Sequence, residues 1–398
     1  MNTAAGDNSP ERIQRLLGFL EVDPGNITLR ITIADLQHAS GDFGAAETSF
    51  RMILDIQPGH AIARSRMAGV YLSQHRFDEA EAVLRGLEAA VQQVPAISHN
   101  IGLALVYQNK WPEALQALEA AAAAGLDDDE NLTYQAYCLH HLGRTEEALA
   151  KATAALERSP GDRVEGYVSL LQMDAGDLKT ASRTAARVLE RDPQNVNANT
   201  VRGWWGLETQ EIDDAEECID RALAQEPNSP RLLLGKGLVQ MYKQELPQSV
   251  ATLERAVQGM PNSPGAWVTL GWAQIAAGDL PGAEKTFRDA IEIERSFGET
   301  HGGLASVLAL AGRGDEARES IRKARGLDKE GFGVVFAMTV LLANAGKQDA
   351  ATKLFGNMLL RSPGGKGGMK LIEAVQIFSR RQGARKGPAL PALPRRQR

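Results

Sequence analysis

Paired histidines, a run of aspartates and a glycine-lysine cluster are the residues here whose types could do chemistry. His140 and His141 are metal-ligand types, but neighbours on a helix point about 100° apart, and no acid or cysteine stands at helical ligand spacing. Asp127, Asp128, Asp129 and Asn131 carry oxygens suited to calcium, yet Leu132 stands where such a loop needs glycine. Acids favoured at a helix N-terminus account for them better. Gly364-Gly365-Lys366-Gly367-Gly368 lacks the spacing of a phosphate-binding loop and no strand precedes it, so it reads as a flexible joint. No His-Glu-x-x-His or Gly-x-Ser-x-Gly occurs. Cys138 and Cys218 stand far apart without a second pair, and read as buried thiols. The expectation is a non-enzyme with no catalytic, cofactor-binding or metal-binding residues.

The elements that would position any site follow from a ladder of spacings. Pro24 and Pro58 lie 34 apart, Pro160, Pro193, Pro227 and Pro261 follow at steps of 33, 34 and 34, and Pro363 falls on the same beat. Alanine repeats at 46, 80, 114, 148, 181, 215, 283, 317 and 351, with Ser249 in the remaining slot. Twelve positions upstream of each runs a second small-residue ladder: Ala34, Ala68, Gly102, Ala136, Ser169, Gly203, Gly237, Gly271 and Ala305, ending in Thr339. Two small residues at a fixed offset mean two helices whose backbones approach closely. Glycine at 41, 143, 176, 278, 312 and 346, with Asn109 in an equivalent slot, marks a left-handed residue ending the first helix. Each unit therefore reads as helix, turn, helix, turn. On this pattern Gly271 should face Ala283 and Ala290 of the second helix of its own unit.

The periodicity of Trp267, Leu270, Gly271, Gln274, Ala283, Phe287 and Ala290 resembles the tetratricopeptide repeat (TPR) family, in which Trp, Leu-Gly, Tyr, Ala, Phe, Ala and Pro recur over 34 residues. Ten units start at 27, 61, 95, 129, 162, 196, 230, 264, 298 and 332. The resemblance implies an all-α fold: a right-handed superhelix, an α-solenoid of about ten helix-turn-helix repeats with a capping helix at each end. The expected organisation is an N-terminal segment and cap over 1–26, the solenoid over 27–365, a C-terminal cap over 366–382 and a basic disordered tail over 383–398. Ile13, Leu16, Leu17 and Leu20 form the stripe of the first cap, and Leu371, Ile372, Val375 and Phe378 that of the second.

In that family the first helix of each unit lines the inner groove. Carried over by position, the groove residues are His99, Leu103, Tyr137, His140, Trp204, Leu234, Leu238, Met241, Val268 and Trp272. Trp204, Leu238 and Trp272 are spaced by 34 and would form a stripe. The fifth and ninth positions hold none of the Lys, Asn and Arg with which chaperone-binding members grip a terminal carboxylate, so the expected ligand is an apolar or amphipathic protein segment.

Net charge is −6, but Arg361 to Arg398 carries ten Lys or Arg against one acid, Glu373, so this segment is +9 and the preceding 360 residues −15. An acidic body disfavours general nucleic-acid binding. No run approaches the ~20 apolar residues of a membrane span, and Met1 to Arg12 has no apolar stretch suited to a secretory signal. The expectation is a cytoplasmic, bacterial-type scaffold or adaptor without cofactor or small-molecule substrate, of open oligomeric state. The resemblance adds envelope, polysaccharide-export or secretion assembly as its setting. The alternatives are a nucleic-acid-associated factor using the basic tail, or an accessory subunit of an enzyme.

Overall fold

The structure, a computed structural model, describes residues 10–87, 94–328 and 331–361, with side chains placed as far as 357. The expected C-terminal cap over 366–382, the tail over 383–398 and the glycine-lysine joint lie outside the described residues, within which every element is helical. Two compact units result, Met1–Gly176 and Asp177–Arg398, and their boundary falls between the two helices of the repeat that starts at 162.

The first unit opens with α1 (Pro10–Val22) and continues as the pairs α2 (Ile27–Ala39) and α3 (Phe43–Ile56), α4 (Ala61–Ser73) and α5 (Phe77–Arg85), α6 (Pro95–Tyr107) and α7 (Trp111–Ala123), α8 (Asp129–His141) and α9 (Thr145–Arg158), ending with α10 (Asp162–Asp174). The second opens with α11 (Leu178–Arg191) and pairs α12 (Val196–Thr209) with α13 (Ile212–Gln225), and α14 (Pro230–Tyr242) with α15 (Leu246–Gly259). It continues with α16 (Pro264–Ala277) and α17 (Leu280–Ile293), α18 (Gly298–Leu310) and α19 (Gly314–Leu327), and α20 (Phe332–Asn344) and α21 (Gln348–Arg361).

The turn inside each repeat is made by one left-handed residue. Gly41, Gly143, Gly176, Gly278, Gly312 and Gly346 occupy it with φ between 75° and 90°, but so do His75, Asn109, Gln210 and Gln244, with φ between 59° and 66°. A Cβ disfavours that conformation by roughly 1 kcal/mol, which the side-chain-bearing repeats tolerate. Gln244→Gly should accordingly stabilise the chain by about 0.5–1 kcal/mol, read as a higher Tm. An unchanged or lower Tm would mean that the Gln244 side chain contributes more than its backbone conformation costs.

Helix pairs close through a complementary size pattern. A Cβ built on Gly102 would lie 2.7 Å from Leu118, on Gly203 2.6 Å from Ile219, on Gly237 2.5 Å from Leu253 and on Gly271 2.5 Å from Phe287. In every case the filler stands sixteen positions on, in the second helix of the same repeat. Gly271 thus faces its own second helix as expected, but what it meets most closely is Phe287 rather than Ala283 or Ala290. A large ring at the centre of α17 reaches the bare backbone before the flanking methyl groups do.

Neighbouring repeats are tied by charge as well as packing. Glu47 pairs with Arg76 at 2.6 Å, Glu81 with Lys110 at 3.1 Å and Glu284 with Arg313 at 2.7 Å, each bridging a second helix to the turn of the next repeat. Burial pushes the Glu81 carboxyl up, but hydrogen bonds from Arg85, Lys110 and Gln108 together hold it below its ordinary value of 4.5. The Glu284 carboxyl is held low mainly by Arg288, against burial, with Arg313 assisting. Groups with depressed folded-state pKa stabilise the fold above their unfolded value and lose that contribution as pH falls through the folded one. Thermal stability should therefore decline as pH drops below about 4.5, and Glu284→Gln should make that decline shallower. Equal slopes in the two proteins would remove Glu284 from the account.

Candidate functional site

Within each unit the first helices of successive repeats touch, α2 with α4, α4 with α6 and α6 with α8 in one, and α12, α14, α16, α18 and α20 in sequence in the other. This gives each unit a wall of first helices, on which the expected groove residues are distributed unevenly.

In the first unit a connected run of rings joins this wall to the start of a second helix. Phe77, at the start of α5, stacks on Tyr107 with centroids 4.6 Å apart and planes 8° apart. The Tyr107 hydroxyl lies 3.5 Å from that of Tyr134. Tyr134 and Tyr137 meet edge to face at 6.0 Å, and Tyr137 leans on Tyr167 at 4.4 Å. Tyr107 is 52% exposed, Phe77, Tyr134 and Tyr137 are half-buried, and Tyr167 is buried. Burial pushes the Tyr134, Tyr137 and Tyr167 hydroxyls up, so these rings act as neutral hydrogen-bonding groups.

His140 stands at the back of this run, with Nε2 2.8 Å from Asp174 Oδ2 and Nδ1 3.2 Å from the Tyr167 hydroxyl. An ionised carboxylate only accepts, so Nε2 carries a proton and donates to Asp174. The chain Tyr167–His140–Asp174 locks α8 to α10. His99 is buried edge-on to Tyr134 at 6.3 Å, and burial lowers its pKa. Leu103 is half-buried on α6. His141, instead of sharing a ligand with His140, stacks on Trp111 at 3.9 Å.

In the second unit Trp204, Leu234, Leu238 and Val268 are half-buried and packed on the core. A Cβ on Gly235 would lie 3.1 Å from Ile219 Cδ1 and 4.0 Å from Trp204 Cε2, so it is Ile219 that the bare backbone there accommodates. Three of the expected groove residues, His99 among them, are corrected by their burial. Met241 is 4% and Trp272 3% exposed, so neither offers surface to a ligand. Trp272 meets the edges of Phe287, Phe332 and Phe336 at 6.0, 4.8 and 5.5 Å. α18 and α20 approach backbone to backbone, since a Cβ on Gly302 would lie 3.0 Å from Gly333 Cα, which brings Phe332 and Phe336 within reach of α16. The stripe Trp204–Leu238–Trp272 is thereby broken at its third member, and Tyr137 belongs to the other unit.

Sequence reasoning missed Phe77, Tyr107 and Tyr134. A signal was present: rings 30 residues apart, 77 with 107 and 111 with 141, stack across successive repeats. Among the described residues no group of three His, Cys, Asp or Glu is placed to hold a metal, and no helix is long and apolar enough to cross a membrane. Burial pushes the Cys138 thiol up to about 12, which makes it a poor nucleophile.

Tetratricopeptide repeat profiles match residues 38–99, 99–163, 172–237, 234–297 and 268–331. Comparison with curated protein sequences finds no match. Among solved structures, a monomeric mutant of IFIT1 with Gppp-AAAA is similar at 16% identity and a TM-score of 0.50, covering 94% of this chain and 95% of that one. YrrB, described as a TPR protein with an unusual peptide-binding site, is 20% identical with a TM-score of 0.39, covering 47% of this chain and 97% of its own. At such identities the first likeness concerns the fold alone.

Proposed function

Because the chain belongs to the tetratricopeptide repeat family, we propose that it is a non-catalytic scaffold that holds an extended apolar or amphipathic protein segment against its first-helix wall. The observation that carries this reading is the run of partly exposed rings Phe77, Tyr107, Tyr134 and Tyr137. Aromatic side chains give large contact area with little rotamer entropy to lose, and their hydroxyls can take up backbone groups of an extended segment. Trp204, Leu234, Leu238 and Val268 form a smaller apolar strip of the same character in the second unit. Assembly of an envelope, polysaccharide-export or secretion machine, in the cytoplasm, is the setting we propose for such a scaffold.

Peptides selected on the full chain from a random library provide the test. Tyr107→Ala and Tyr137→Ala should each weaken the selected peptides roughly ten-fold. Tyr107→Ala should leave the melting temperature nearly unchanged, since half of that ring is already in water. Peptides that bind both variants as they bind the parent would overturn the reading. A competing nucleic-acid ligand would reveal itself by affinity that falls steeply with salt.

A further inference from the structure

We propose that the crevice between α19 and α20 is a second docking site, and that it takes an acidic amphipathic helix of a partner protein. It is separate from the ring surface described above and does not depend on it.

Joints between repeats carry a recurring ion pair. Glu47–Arg76, Glu81–Lys110 and Glu284–Arg313 each join an acid on a second helix to a cation 29 residues on, in the turn of the next repeat. The same count across the last joint leads from Arg318 to Lys347, so an arginine stands where the acid belongs. The Arg318 guanidinium donates instead to Asp315 of its own helix, at 2.6 Å. Lys347 has no acid paired with it among the described residues.

Those two residues rim a cavity of about 860 Å³ between α19 and α20, floored by Ile321, Met338, Leu341 and Leu342. On its other flank α20 is held backbone to backbone against α18, at Gly333 and Gly302. Each acid on the rim is already taken: Asp315 by Arg318, Glu316 by Arg313 at 2.6 Å and Glu319 by Lys323 at 3.1 Å. Among the described residues the cations Arg322, Arg325 and Lys347 are left without acids. An apolar floor bordered by uncompensated positive charge complements apolar groups flanked by carboxylates.

The placement of the cations selects the kind of ligand. α19 lines the cavity from Asp315 to Arg325, a length of about 15 Å at the helical rise per residue. A Cβ on Gly314 would lie 3.6 Å from Leu341 Cδ2, so the start of α19 adjoins the end of α20. Lys347 therefore stands at one end of the crevice and Arg325 at the other. A fatty-acid carboxylate would engage one end only. A helix with apolar residues at i, i+3, i+4 and i+7, and with glutamates about ten residues apart, engages both.

The probe is a fluorescein-labelled peptide of about twelve residues, leucine at i, i+3, i+4 and i+7 and glutamate at each end, titrated onto the full chain by anisotropy. It should bind roughly ten-fold more tightly than its glutamine-ended twin, a preference that shrinks with added salt. Lys347→Glu should remove most of that preference at an unchanged melting temperature, since the lysine is exposed. A peptide with one glutamate changed to lysine should bind that variant more tightly than it binds the parent. Equal affinity of the parent for the glutamate and glutamine peptides, or a Lys347→Glu variant that keeps the preference, would overturn the proposal. So would binding of dodecanoate without binding of the glutamate peptide, which would assign the crevice to a lipid carboxylate. Binding that appears only after Leu371→Asp and Phe378→Asp would mean that the chain's own C-terminal residues cover the crevice, and would equally overturn an outside partner.

Discussion

Trp272→Ala is expected to cost about 3–5 kcal/mol of folding stability while leaving the affinity of the folded protein for its selected peptides unchanged. The ring is 3% exposed and touches three phenylalanines, Phe287 in its own repeat and Phe332 and Phe336 two repeats further on. Truncation would open a cavity bounded by these rings, and helical backbones around it would collapse only in part. Denaturant titration gives the stability and peptide titration of the same sample the affinity. A variant that melted like the parent yet lost its peptides would restore Trp272 to the ligand surface and overturn its assignment to the core.

Gly302→Leu is expected to be nearly as harmful, about 3 kcal/mol. A Cβ on Gly302 would lie 3.0 Å from Gly333 Cα and 3.0 Å from Val334 N, and backbone of a neighbouring helix cannot turn aside as a side chain can. The close approach is sealed by the Ser306 hydroxyl, 2.8 Å from the Gly302 carbonyl and 3.0 Å from that of Gly333. Full retention of stability in Gly302→Leu would show that α18 and α20 can separate without loss.

The repeat architecture was legible because a packing contact between two helices imposes a fixed residue offset, and that offset survives in the alanine and small-residue ladders. Helix starts at Ile27, Ala61, Pro95, Asp129 and onward coincide with the ladder. Less legible was the left-handed turn where it is occupied by His75, Gln210 or Gln244, since the conformation there is required by the connection and not signalled by residue type. The ligand surface was hardest to read. A positional rule treats every repeat alike, whereas the direction a ring takes depends on the bulk opposite it. Trp272 turns inward among Phe287, Phe332 and Phe336, while Trp204 remains half-buried. The Phe77–Tyr107 stack joins a second helix to a first helix of the next repeat, a pairing that inspection of one helix class alone does not find.

The contact of Trp272 with Phe332 and Phe336 has a consequence for cooperativity. A solenoid ordinarily loses structure as a row of dominoes, each repeat leaning only on the next, so that ends fray and interior boundaries can open independently. Rings that meet across α18 couple the eighth repeat directly to the tenth, and a one-dimensional chain with second-neighbour coupling has a larger unit of opening. Amide hydrogens of α16, α18 and α20 should therefore exchange with one common free energy rather than in a gradient toward the C-terminal end. For anyone shortening this chain, the three repeats from Pro264 onward form a block to be kept or removed whole.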